Sequence, residues 1–144
     1  GLIARKLGDF PLGIYGSPSY FARRPPPRAP AQLVDHECIS FIMPSTGRVL
    51  PWVLHPSPRS FTPRSAVRCA EDVLALVSLA RAGLGLIQIY DFLVEKDVER
   101  GLLVEVLREH RGASRPFSLV YPSAGRRSAA ARVLIDFLLG KTSS

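Results

Sequence analysis

The 144-residue sequence has few cysteines, a single tryptophan, fewer acidic than basic residues, and no long uninterrupted apolar run. Each shortage excludes something. Two cysteines, Cys38 and Cys69, do not make a disulfide framework, and nothing points to an oxidising compartment. They stand in the apolar runs "ECISFIM" and "AVRCA", where buried free thiols are the ordinary reading. No apolar stretch is long enough to cross a bilayer, so no membrane span is expected. The chain opens on "GLIARKL", without an initiator Met or a charged leader, and we expect an internal piece of a longer protein. No repeat recurs at solenoid spacing.

What is present suffices for a core. Hydrophobic residues make up 47% of the chain, the size of one domain or two small lobes. The 13 prolines and 11 glycines fall between apolar runs and act as punctuation. The formal charge is +7, but the cations are scattered. Arg23, Arg24 and Arg28 cluster, as do Arg126 and Arg127, without the interleaved aromatics of a nucleic-acid surface. Direct nucleic-acid binding by these residues is not expected.

Patterning alternates between strand and helix. "LIARKL" (2–7) and "PLGIYG" (11–16) read as strands joined by a Gly8–Asp9 turn. Ser17 and Pro18 open a helix, which "PPPRAP" (25–30) ends. Strands are expected at 38–43, 51–55 and 66–69, the first two as a hairpin about "PSTGR". The clearest helix spans 70–83, with Val73, Leu76, Val77 and Ala80 on one face and Gly83 as its left-handed stop. Strands at 84–89, 102–107 and 116–122 follow, with a short helix after a capping Asp91 and a final apolar helix at 128–140. The order predicts an α/β architecture with a largely parallel sheet.

Several motifs invite chemistry. "RAGLGLIQI" carries two close glycines, but a phosphate loop needs strand, glycines, then helix. Here the helix comes first, so Gly83 and Gly85 are architectural. "GKTS" (140–143) ends a helix, and Ile135 stands where a P-loop needs its first glycine. "RPPPRAP" matches a proline-rich ligand spacing, but a stiff connector explains it better. "DHEC" (35–38) lacks a second ligand cluster, so no metal site is assigned; His55 and His110 stand alone in sequence. No nucleophile, base and acid converge, so no enzyme is expected. "PSTGRVLPW" (44–52) is richer: hydroxyls, a flexible glycine, a guanidinium fork and an indole lie in one strand–turn–strand unit. Arg48 can hold a carboxylate bidentately, and Trp52 is either a stacking face or a core residue.

Taken in order, "GLIARKLGDFPLGIYGSPSYFAR", "PAQLVDHECISF", "PSTGRVLPWVL", "LARAGLGL", "DFLVE", "GLLVEVL" and "PFSLVYPS" with a closing "RVLIDFL" helix resemble the effector-binding region of LysR-type bacterial transcriptional regulators. Tyr90 departs from that pattern, since the family often has proline there.

The resemblance implies a periplasmic-binding-protein-like (type 2) two-lobe α/β fold, here a complete second lobe and part of the first. Residues 1–16 would supply part of the first lobe and a crossing strand. Residues 17–115 would form the second lobe, and 116–144 the second crossing strand and a terminal first-lobe helix. A small-molecule effector would bind in the inter-lobe cleft, without a cofactor. Position by position, the resemblance assigns Ser45, Gly47, Arg48, Pro51 and Trp52 to the cleft, and Ser17, Phe117 and Ser118 to the crossings; Thr46 is expected to add a second hydroxyl beside Ser45. It implies a cytoplasmic homodimer or homotetramer that meets DNA through a winged helix-turn-helix outside this sequence. The alternative is a solute-binding protein of a transport system with the same fold.

Overall fold

Apolar side chains alternate along "PLGIYG", and the alternation sends neighbouring residues into different cores. The computed structural model describes residues 2–43, 46–56, 60–70 and 72–122. The expected helix at 128–140 lies outside them. Strand β1 runs Leu2–Gly16, unbroken where the sequence suggested two strands and a turn. A Gly–Asp pair permits a turn without requiring one, and pairing with a later strand keeps the chain extended. Ile14 and Tyr15, each 2% exposed, fall in separate apolar clusters on opposite faces of β1.

Helix α1 (Pro18–Arg23) starts as the sequence dictates: the Ser17 hydroxyl accepts the Tyr20 N–H at 3.2 Å, and proline takes the first turn. A 3-10 turn over Pro30–Asp35 leads to β2 (Ser40–Ile42). Then come β3 (Trp52–Val53), β4 (Ser60–Phe61) and β5 (Arg68–Ala70). Helix α2 (Val73–Arg81) is capped by Asp72, whose carboxylate accepts the Leu74 N–H at 2.9 Å. Leu76, Val77 and Ala80 bury as patterned, while Val73, at the uncovered end of the stripe, is exposed. Gly83 follows at φ +83°, the left-handed stop its position required. Strand β6 (Ile87–Tyr90), a 3-10 turn at Asp91–Leu93, helix α3 (Glu95–Glu99), β7 (Val104–Val106), a 3-10 turn at Arg108–His110 and β8 (Gly112–Pro122) complete the described chain.

The sheet is less parallel than the sequence suggested. β1 lies between β6 and β7 and runs antiparallel to both, and β8 also pairs with β1. β2 pairs in parallel with β5, and a single parallel bridge joins Cys38 to Leu86. β1 enters against the direction of its neighbours, which composition cannot reveal.

The chain divides into two units, residues 1–10 with 114–144, and residues 11–113. β1 and β8 carry the chain from one to the other. The second unit holds both cores. Tyr15 packs with Leu76, Val77 and Ile87 on one face of its sheet, and Ile14 packs with Leu33, Trp52 and Leu86 on the other. No described helix is long and apolar enough to cross a membrane.

Candidate binding site

The turn after β2 is built by its own hydrogen bonds. The Met43 carbonyl accepts from the N–H groups of Thr46 (3.3 Å) and Gly47 (2.8 Å). Gly47 sits at φ +68° with open space about it, so its glycine is needed for conformation and not for room. The Arg48 N–H donates to Thr46 Oγ1 at 3.2 Å. Past the turn, the Met43 N–H donates to the Arg48 carbonyl (2.9 Å) and the Leu50 N–H to the Phe41 carbonyl (2.8 Å). A short hairpin therefore closes between residues 41–43 and 48–50, but the expected strands do not pair with each other: β2 pairs with β5 and β3 with β4, because pairing beyond the turn is decided by segments distant in sequence.

Thr46, Gly47 and Arg48 stand together there, exposed. The Arg48 guanidinium has no partner among the described residues. Pro51 is half-buried. Trp52 is only 4% exposed and meets Phe61 edge-on, ring centres 5.8 Å apart. Of its two sequence roles, the indole occupies the core one. Ser45 lies outside the described residues. Ser17 belongs elsewhere: it is 2% exposed and its hydroxyl is committed to the α1 cap and to Ser19 Oγ at 2.9 Å. Phe117 and Ser118 lie on β8.

The turn is rooted by residues the sequence reading did not single out. Gln88 of β6 uses its amide like a strand edge: Oε1 accepts the Val53 N–H at 2.9 Å, and Nε2 donates to the Val53 carbonyl at 2.7 Å. Its signal was a polar residue inside "LIQIY". His55 and His110, isolated in sequence, are joined in space. The His55 N–H donates to the His110 carbonyl at 3.2 Å, and His110 Nδ1 lies 2.9 Å from the His55 carbonyl. Gly112, the first residue of β8, lies so close to β3 that a Cβ there would stand 2.3 Å from the Val53 carbonyl oxygen. The chain leaving the turn is therefore clamped to the start of a strand that joins the units.

A charged network holds that strand's root. The Arg111 guanidinium grips Glu105 through Nε (2.6 Å) and Nη2 (2.7 Å), and reaches Asp91 at 3.5 Å. The hydrogen bonds to Glu105 push the Arg111 pKa up. Burial, helped by Glu105, raises that of Tyr15. Asp91 thus faces Arg111 and does not cap the following turn, which has no side-chain cap. A partially buried cation outcompetes one peptide N–H for a carboxylate.

Other motifs resolve into structure. The Gly83 carbonyl accepts from Arg23, and a Cβ on Gly85 would stand 2.5 Å from the Glu37 carbonyl oxygen, so both glycines serve close packing. The "DHEC" residues diverge: His36 meets Tyr20, Glu37 accepts from Ser65, and the Asp35 carbonyl accepts from Arg24. Cys38 and Cys69 are buried free thiols, and burial pushes Cys38 up to about 12.

A family model described as the LysR substrate binding domain matches residues 1–143. The HTH-type transcriptional regulator CrgA of Neisseria meningitidis serogroup B is 32% identical over 96% of this chain and 46% of its own length. PgrR of Escherichia coli K12 is 30% identical over 95% of the chain and 46% of its length. The solved CrgA regulatory domain superposes with a TM-score of 0.75 at 29% identity, covering 98% of this chain and 69% of that one. Full-length AphB, a Vibrio cholerae virulence activator, gives 0.68 at 26% identity over 99% of this chain and 48% of its own. The chain spans about half the length of the curated relatives it matches.

Proposed function

Because the chain belongs to the LysR substrate-binding-domain family and has its periplasmic-binding-protein-like α/β fold, we propose that it is the effector-sensing part of a DNA-binding transcriptional regulator. The related proteins are transcriptional regulators, which favours this reading over a transport solute-binding protein and offers no support for catalysis. A full-length protein of this kind would meet DNA through a helix-turn-helix outside this sequence, assemble as a homodimer or homotetramer, and act in the cytoplasm beside its DNA. Residues 17–115 would form the second lobe of the sensor, completed by 1–16 and 116–144.

The observation that carries the reading is the Arg48 guanidinium, exposed and without a partner among the described residues, on a turn whose Thr46, Gly47 and Arg48 N–H groups are all bonded. A planar cation on a fixed turn suits a small carboxylate or phosphate. Thr46 supplies a hydroxyl beside it, Ser45 a second, and Gly47 and Pro51 complete the proposed effector set at the turn, with Trp52 supporting it from the core. Binding can report only if it favours one arrangement of the protein over another. The Gln88 bonds to Val53 and the close packing of Gly112 on β3 give a route from the turn to the strand leaving the unit. The test is a thermal-shift screen of small organic acids on the chain. Compounds that raise Tm in the parent should lose that effect in Arg48→Ala, while the ligand-free Tm stays within about 1 °C, as for an exposed substitution. Hits retained in Arg48→Ala would remove the turn from the site.

A further inference from the structure

A second set of unspent recognition groups lies at the opposite end of the parallel pair. The turn at Arg48 follows the carboxyl end of β2. Residues 33–36 and 61–64 precede the amino ends of β2 and β5, which run parallel. There a cavity of about 500 Å³ is lined by Leu33, Val34, His36, Phe61, Thr62 and Arg64. That volume suits a small organic molecule. The lining is divided: Leu33, Val34 and Phe61 are apolar, while His36 and Arg64 bring donors.

His36 is oriented. The Tyr20 hydroxyl lies 2.6 Å from His36 Nδ1 and also accepts the Glu37 N–H at 3.2 Å. A peptide N–H can only donate, and no other acceptor for the buried phenol is present among the described residues. The phenol proton therefore goes to Nδ1, and the neutral imidazole carries its own proton on Nε2. Burial, and then the charge of Arg24, lowers the His36 pKa and keeps the ring neutral; burial raises that of Tyr20, which stays a donor. Arg64 is exposed, and its guanidinium has no partner among the described residues. His36 also borders an adjoining depression of about 740 Å³, where Arg24 and Arg28 outnumber the single carboxylate of Asp35. The potential across this region favours anions.

We propose that this cavity is a second small-molecule site, for an organic monoanion with an apolar body. Arg64 and His36 Nε2–H take the carboxylate, and Phe61, Leu33 and Val34 cover the hydrocarbon. It is independent of the Arg48 turn and of the effector reading built on it.

Trp52 provides the readout, being the sole tryptophan and packed edge-on against Phe61. The 144-residue chain would be titrated with sodium phenylacetate, and separately with phenylacetamide as the uncharged isostere, following Trp52 emission. Phenylacetate should give a saturable change, with the amide about tenfold weaker or worse, as the loss of a charge-assisted hydrogen bond implies. Arg64→Ala should weaken phenylacetate by about tenfold, and Arg64→Lys by less. Val34→Glu should weaken it similarly by repulsion, and Val34 is 73% exposed, so that variant folds. Arg48→Ala should leave the titration unchanged. The proposal fails if no saturable change occurs, if acid and amide bind equally, or if Arg64→Ala has no effect. It also fails if Arg48→Ala abolishes the signal while Arg64→Ala does not, because the ligand then sits at the turn.

Discussion

The turn Thr46–Arg48 and the strand end Val53–His55 lie on one short stretch of chain and are held in opposite ways. At the turn the N–H groups of Thr46, Gly47 and Arg48 are bonded, but the side chains face solvent and the Arg48 guanidinium has no partner among the described residues. At Val53 both peptide groups are taken by Gln88, and at His55 by His110. Recognition needs donors that water alone occupies, so that a ligand can replace the water. Transmission needs the reverse, since loosely bonded chain absorbs a displacement by relaxing. The two demands cannot be met by the same residues, and under the proposed function this unit would meet them a few residues apart.

Five substitutions would break or sharpen that contrast. Trp52→Ala should have the largest effect, about 3–5 kcal/mol in urea unfolding, because a buried indole leaves a cavity on the Ile14 face of the sheet. A loss below about 1 kcal/mol would mean that Trp52 is not core. Gln88→Leu removes both partners of Val53 and should cost about 1–3 kcal/mol, read in the same unfolding experiment. In a full-length regulator it should also blunt the response to effector more than the affinity for it.

The two glycines make a matched pair. Gly112→Ala drives a Cβ into the Val53 carbonyl and should cost about 1–3 kcal/mol by overpacking, whereas Gly47→Ala meets open space and pays only about 1 kcal/mol for its left-handed backbone. Amide exchange of residues 52–55 should quicken in the Gly112 variant and stay unchanged in the Gly47 variant. Equal behaviour would deny that the root is tighter than the turn. Arg48→Ala should change stability least, within about 0.5 kcal/mol, which chemical denaturation checks directly.

Much of this was legible before any coordinates. The cap at Ser17, the left-handed stop at Gly83 and the buried stripe of α2 follow from residue type and spacing, because local rules govern helix ends. The turn about "PSTGR" was legible for the same reason, but the pairing of the strands on either side of it was not, since β2 pairs with β5 and β3 with β4. The antiparallel direction of β1 was not, since a strand's pattern is the same read either way. Asp91 misled because a carboxylate before a helical stretch looks like a cap until an arginine from Arg111 arrives across space.

The sequence by itself determined where helices begin and stop, which residues are apolar enough to bury, and that "PSTGRVLPW" carries the chemistry worth testing. Only the tertiary structure decided that Trp52 is core and Arg48 exposed, that His55 and His110 are neighbours, and that Gln88 substitutes for a strand. The physical reason is range. Capping and turn formation are settled within a few residues, whereas the burial of a side chain and the partner of a polar group depend on elements that meet only when the sheet has assembled.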